Sequence, residues 1–288
     1  MSADAEPELT APELTIDDVL RPNDSRFHTE TVAIVTGAAS GIGRATALAL
    51  ATNGLTVVGA DIDDAGLDET VNRASELGVK GDLQPITTDL TDDVEVQAMV
   101  DTAADAGDLR YVANIAGMQH IASIPDFPAE QYDRLLDVML RAPFITAKFA
   151  MPHIRGTDDG VGAIANMSSI HGRYATKDKA AYITAKHGLN GLTRAIAAEG
   201  EGTLRSFSVS AGYVLTPLMA NQIEDTARER GITEREVVEN VMLGQARTTE
   251  LMTPVEVANL FVFGFSRHGK HLNGGDLLWD GGYTLTYE

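Results

Sequence analysis

Three side chains have the types and spacing for proton transfer at a carbon–oxygen bond. Tyr182 and Lys186 are four residues apart, so on a helix they share one face. An ammonium beside a phenol favours the phenolate, which predicts a Tyr182 pKa below its usual ~10 and a usable acid/base near neutrality. Ser169 lies thirteen residues before Tyr182, far enough to come from the end of a preceding strand. The same stretch also carries His171 and Lys179. A tyrosine and a lysine four apart also occur on ordinary amphipathic helices, so the rest of the chain must supply the context.

From Thr31 onward, short apolar runs alternate with helical stretches. Strands are predicted at 31–36, 55–61, 83–87, 110–114, 162–168, 205–210 and 275–280. Helices are predicted at 41–53, 64–77, 92–105, 129–153, 179–200 and 253–264, with a charged helical excursion over 216–247. This alternation predicts an α/β chain with a parallel sheet covered by helices on both faces. Residues 1–29 are acidic and show no sustained period, and they read as a mobile arm. Within it, the segment from Leu14 to Leu20 could form a short docked helix. Residues 30–288 form the catalytic domain, with a lid over about 215–247. No internal repeat is visible.

Thr36-Gly-Ala-Ala-Ser-Gly-Ile-Gly43 lies at the first strand-to-helix junction. Glycines there let backbone approach a pyrophosphate, and a helix N-terminus favours its charge. Asp61 ends the second strand, where its carboxylate can accept from adenosine ribose hydroxyls and repel a 2′-phosphate, which predicts NAD over NADP. Arg44 is the nearest cation and reads as a solvated helix residue. Asp89 and Leu90 follow the third strand and could contact adenine. Asn114 ends the fourth, in Asn-Ile-Ala-Gly117.

The chain has 288 residues, no cysteine, and a formal net charge of -20 at pH 7. Disulfides, thiolate catalysis and Cys-ligated metal are therefore excluded. No metal is expected. The charge argues against nucleic acid, whose phosphates need a basic surface. No apolar run is long enough to span a membrane, and the start lacks the basic and apolar parts of a signal peptide, so a cytoplasmic protein is expected. Self-repulsion on so acidic a surface is a lever used by halophilic proteins, which predicts stabilisation by molar salt.

The glycine loop, Asn-Ile-Ala-Gly, Ser169 and the Tyr182/Lys186 pair, in this order over residues 31–288, resemble the short-chain dehydrogenase/reductase family. The resemblance implies a single doubly wound (Rossmann) domain. Tyr182 would be the general acid/base. Lys186 would hold the nicotinamide ribose and lower the Tyr182 pKa, and Ser169 would orient the substrate oxygen. The implied cofactor set is Gly37, Ser40, Gly41, Ile42, Gly43, Asp61, Asp89, Leu90, Asn114, Ala116, Gly117, Tyr182, Lys186, Gly212, Val214 and Thr216. A homotetramer packed through the helices at 129–153 and 179–200 is implied as well.

Gly117-Met-Gln-His120, Ser169-Ile-His-Gly172, Ala181 to Gly188 and Gly212 to Leu218 look like bacterial 3-hydroxybutyrate dehydrogenases, as do Gln222-Ile223 and the charged helical lid that follows. That resemblance implies a carboxylate gripped by Gln119, His171, Lys179 and Gln222, next to Ser169 and Tyr182. Charge-assisted bonds from Lys179 and His171 would carry most of the grip. Three positions depart from the family. Met139 replaces an asparagine, Ala211 replaces a proline, and Tyr283 replaces a tryptophan, which could widen or polarise the pocket. The expected activity is interconversion of a short 3-hydroxy acid, best 3-hydroxybutyrate, and its 3-oxo acid. A dehydrogenase of another small alcohol or sugar, and a nucleotide-binding protein with weak catalysis, are the alternatives.

Overall fold

A computed structural model describes residues 11–285. Seven parallel strands form one sheet in the order β3-β2-β1-β4-β5-β6-β7. They are β1 (Thr31–Thr36), β2 (Thr56–Asp61), β3 (Asp82–Thr87), β4 (Asp108–Asn114), β5 (Gly162–Met167), β6 (Leu204–Ala211) and β7 (Asp276–Trp279). All seven lie at the predicted places, β1 with the predicted ends and the others with one or both ends moved by at most two residues. β1, β5 and β6 are buried along their whole length, as strands covered on both faces must be. Alternate residues feed two cores. Ala33, Val35, Tyr111, Ala113, Phe207 and Val209 face α1 (Gly41–Thr52) and, near the C-terminus, the helix Pro254–Phe265. Val32, Ile34, Val58, Val112 and Ile164 face α3 (Asp93–Asp105) and the helix Ala142–Gly156. Between α1 and α3 runs α2 (Asp64–Leu77), capped by the Asp63 carboxylate at one end and by left-handed Gly78 at the other. β3 pairs only with β2, and an edge strand tolerates its Pro85.

The helix expected over 129–153 is not continuous. It consists of α4 (Ala129–Leu136), a π-helical turn (Asp137–Arg141) and α5 (Ala142–Gly156). Pro143 supplies the physical reason. It has no N–H to give Met139 O four residues back, so the ladder slips, and Ala142 N donates to Asp137 O instead. α6 (Ala180–Glu199) carries Tyr182 and Lys186 as expected. The excursion over 216–247 is also divided. α7 (Pro217–Arg230) stops at left-handed Gly231, and α8 (Glu234–Glu236) runs into a second π-helical turn (Val237–Met242). Met219, Ile223, Val237, Val238 and Met242 form a small core of their own, separate from the two sheet cores. α9 (Pro254–Phe265) follows.

Residues 1–10 of the acidic arm lie outside the described residues. The remainder packs against the domain. Val19 is buried, and a short 3-10 turn (Ile16–Asp18) precedes it. Asn259 receives Leu20 N–H at 2.8 Å and donates to Asp18 O at 2.9 Å, while Asn53 donates to Leu20 O at 2.9 Å. Buried Asp24 pairs with Arg26 and accepts from Arg267 N. No helix among the described residues is long and apolar enough to cross a membrane.

Candidate active site

Two cavities open at the C-terminal ends of the strands, where the strand order reverses between β1 and β4. That crevice is where doubly wound sheets bind ligands. The larger cavity has a volume of about 400 Å³. Its walls gather most of the expected nucleotide set: Gly37, Ser40, Gly41, Ile42, Gly43, Asp61, Asp89, Leu90, Ala116, Gly117, Tyr182, Lys186 and Thr216. The smaller, about 100 Å³, gathers Gln119, Ser169, His171, Lys179, Gly212, Val214 and Gln222. Tyr182 and Thr216 line both.

The chain reaches this geometry through specific contacts. Thr36 Oγ1 accepts from Ile115 N at 3.0 Å and Ala116 N at 3.2 Å, which joins the ends of β1 and β4. Gly37 has φ 73°, and a Cβ there would lie 2.9 Å from Ala116 Cα. A Cβ on Gly43 would lie 1.9 Å from Gly37 O, so only glycine lets α1 start this close to the loop. Ser40 is the α1 N-cap, and its hydroxyl makes no capping bond. The first-turn N–H groups thus face the larger cavity without a side-chain acceptor, a good seat for a pyrophosphate. Asp61 accepts from Ala39 N at 3.0 Å and Asp63 N at 3.1 Å, which fixes its carboxylate at the far end. These features fit a dinucleotide.

Arg44 is no solvated residue. It donates to Thr70 Oγ1 at 3.0 Å and pairs with Glu69 at 2.8 Å, so it braces the glycine loop against α2 and is absent from the cavity wall. Asn114 lines neither cavity, contrary to expectation. It is buried and donates to Asn166 Oδ1 at 2.9 Å, which in turn bonds Thr193. It serves as a bond between β4 and β5.

At the junction of the cavities, Lys186 is buried and donates to Met167 O at 2.7 Å. Its ammonium sits 5.3 Å from the Tyr182 ring centroid. Burial lowers its pKa to about 8. Burial also pushes the Tyr182 phenol up, against a downward pull from its hydrogen bond with Ser169. The expected lowering of the phenol by Lys186 is therefore corrected. In this structure the ammonium lies over the ring face and is spent on a carbonyl, and desolvation dominates. Ser169 caps a 3-10 turn (Ile170–Gly172), accepting from His171 N at 3.2 Å.

Lys179 is only 9% exposed and makes no ion pair among the described residues. Burial, and then the Arg230 charge, lowers its pKa to about 8. The Gln119 Nε2 atom is buried with no partner among the described residues. A backbone bond from Ala122 N to Asp178 O at 3.0 Å holds these two segments together. His171 is corrected as a charged donor: burial, then Lys179, pushes its pKa down to about 3, so the imidazole is neutral.

A family model described as enoyl-(acyl carrier protein) reductase matches residues 37–284. The D-beta-hydroxybutyrate dehydrogenase of Rhizobium meliloti (strain 1021) is 37% identical over 257 residues, covering 88% of this chain and 98% of that one. This chain is a short-chain dehydrogenase/reductase. The cyclohexanol dehydrogenase of Acinetobacter sp. (strain SE19) is 34% identical over 256 residues, covering 88% and 94%. A solved chain from Beutenbergia cavernae, holding NADP at low occupancy, superposes with a TM-score of 0.80 at 25% identity, covering 91% and 100%.

Some wall residues of this dehydrogenase were not foreseen. Arg134 on α4 and Thr91 line the larger cavity near Asp89, whose carboxyl is lowered first by Thr91 and also by Arg134. Arg134 falls where sequence shows only an exposed helix. Tyr213 lines the smaller cavity and was hidden inside the motif Gly212 to Leu218. Tyr283, expected at the pocket, is absent from both walls. It stands behind Tyr213, with ring centroids 5.7 Å apart, and packs on Tyr174 at 5.9 Å. Met139 is 1% exposed in an apolar cluster with Leu135, Ala181 and Ala185, its sulfur facing Gly117.

Proposed function

We propose that this enzyme is an NAD-dependent dehydrogenase that interconverts a short 3-hydroxy acid and its 3-oxo acid, with 3-hydroxybutyrate and acetoacetate the best-fitting pair. One observation carries the reading: a buried, unpaired Lys179 ammonium faces the same small cavity as the unpartnered Gln119 amide. A buried cation without a counter-ion is costly, and a carboxylate ligand removes that cost. Gln222 on α7 completes the set from the lid side. NAD is favoured because Asp61 lies in the nucleotide cavity while Arg44, the nearby cation, is engaged by Glu69.

Bound NAD supplies the hydride acceptor. In the oxidative direction the phenolate form of Tyr182 takes the substrate hydroxyl proton while Ser169 holds that oxygen, and burial of the phenol works against that form. In reduction the Tyr182 phenol returns the proton to the substrate oxygen. Lys179, Gln119 and Gln222 anchor the carboxylate away from the reacting carbon. Assembly as a homotetramer through α5 and α6 belongs to the same reading, and exposed Phe144 on α5 is apolar surface for it. Light scattering showing a monomer would remove that part.

A second reading, oxidation of a carboxylate-free alcohol, is favoured by the aromatic wall of Tyr213 and by the cyclohexanol-oxidising relative. A panel of both 3-hydroxybutyrate enantiomers, 2-butanol and cyclohexanol, assayed with NAD and NADP, separates the two. Better turnover of the carboxylate-free alcohols would reject the anion grip. Tyr182→Phe should abolish turnover and keep nucleotide binding by fluorescence titration.

A further inference from the structure

The loop that carries Ser169 continues into a row of hydrogen bonds ending at Thr176. His171 is 4% exposed, and each ring nitrogen faces a hydroxyl. Nδ1 lies 3.4 Å from Ser169 Oγ, and Nε2 lies 3.2 Å from Thr176 Oγ1. A neutral imidazole has one N–H and one bare nitrogen, and its two tautomers have opposite consequences here. With the proton on Nε2, bare Nδ1 captures the Ser169 proton, and the serine has none to offer Tyr182 or a substrate oxygen. With the proton on Nδ1, His171 donates to Ser169 Oγ. The His171 backbone N–H already donates to that oxygen at 3.2 Å. Both acceptor sites of the hydroxyl are then filled, and its single proton must point away from the loop.

Thr176 selects between them. Its hydroxyl has no other side-chain partner among the described residues and could donate to Nε2 or accept from it. The hydrogen bond of Ser169 with Tyr182 favours donation, because Ser169 has a proton for Tyr182 only when Nδ1 carries the imidazole proton. We propose that Thr176 is a positioning residue: by donating to His171 Nε2 it holds the imidazole as the Nδ1–H tautomer, which turns the Ser169 proton toward the reacting oxygen. Thr176 lines neither cavity, so it acts only through His171. The proposal rests on the assignment of Ser169 and Tyr182 to the reaction. A consequence follows for the substrate end. His171 has no proton left for a carboxylate, and the grip falls to Lys179, Gln119 and Gln222.

The test uses the full chain labelled with ¹⁵N-histidine, with the His171→Gln spectrum assigning the His171 signals. In the unmodified protein, long-range ¹H–¹⁵N correlation should show Nδ1 as the protonated nitrogen. Thr176→Val should give a mixture of tautomers and lower kcat for acetoacetate reduction about tenfold, with KM within about twofold, since one charge-stabilising donor is misaimed. Thr176→Ser should restore both tautomer and kcat. Protonated Nε2 in the unmodified protein overturns the proposal, as does unchanged kcat in Thr176→Val or equal loss in Thr176→Ser. The tautomer is read without substrate. Inactivity toward every hydroxy acid would therefore sink the substrate assignment alone and leave the tautomer result standing.

Discussion

Replacing Lys179 by methionine removes the buried charge and keeps most of the side-chain volume. The fall of its pKa from 10.5 to about 8 corresponds to ~3 kcal/mol of cost for holding the ammonium in the cavity. The sign follows from proton counts. The folded pKa is depressed, so between pH about 8 and 10.5 the unfolded chain binds more protons and stability rises with pH. Below about pH 8 the full cost is present. Lys179→Met should therefore raise the melting temperature at pH 7 and reduce the stability gain above pH 8, leaving the part that comes from Lys186. Its effect on catalysis is opposite. A hydrogen bond to a charged group contributes ~1.5–3 kcal/mol, so KM for 3-hydroxybutyrate should rise about 10- to 150-fold. In the parent enzyme that KM should be flat below about pH 8 and rise about tenfold per unit above it, as Lys179 loses its proton. In Lys179→Met it should be high and flat. Lys186 titrates in the same range but acts on every substrate, so the ratio of KM values for 3-hydroxybutyrate and 2-butanol isolates Lys179. A variant with unchanged KM for the hydroxy acid, or one less stable at pH 7, would refute the reasoning.

Asp61→Ser removes the carboxylate from the ribose end of the larger cavity, and the ratio of kcat/KM for NAD over NADP should fall at least about tenfold in initial-rate assays. Tyr111 is fully buried and its hydroxyl has no partner among the described residues, with the phenol pushed up to about 12 by burial. Tyr111→Phe should raise stability by about 1 kcal/mol in urea unfolding, because an unsatisfied polar group is removed and the ring stays packed on Phe265 at 4.9 Å. With a net charge of -20, self-repulsion should be screened by salt, and the melting temperature should rise between 0.1 and 2 M KCl. A flat curve would remove the expectation of salt adaptation.

The strands were legible because a sheet covered on both faces demands apolar runs, and Thr31–Thr36 leaves little else to read, whereas Leu204–Ala211 alternates serines with Phe207 and Val209 and reads as a strand by its period of two. The glycine loop was legible because contacts as close as that of Gly43 on Gly37 O admit no side chain. Interruptions of helices were harder. The π turn at Asp137–Arg141 depends on one missing N–H at Pro143, and a proline in the first turn of a helix also reads as an ordinary start. Electrostatics were the least legible. His171 and Lys179 have types that suit an anion, yet burial makes one neutral and leaves the other charged, and depth is a property of packing. Asn114 sits at a strand end where a ligand contact and a bond to the neighbouring strand look alike until Asn166 is seen beside it.

The separate core under α7 and α8 has an evolutionary consequence. Met219, Ile223, Val237, Val238 and Met242 satisfy one another, so substitutions among them do not propagate into the sheet that holds Tyr182 and the nucleotide cavity. Gln222 is presented from that unit, whereas the proton-transfer residues are not. The Gln222 share of the substrate grip thus sits in a part of the chain that can drift separately from the reaction, while Lys179 and Gln119 stay beside Ser169 and Tyr182. Substrate range can be retuned from the lid side by rebuilding that unit while the reaction itself is inherited intact.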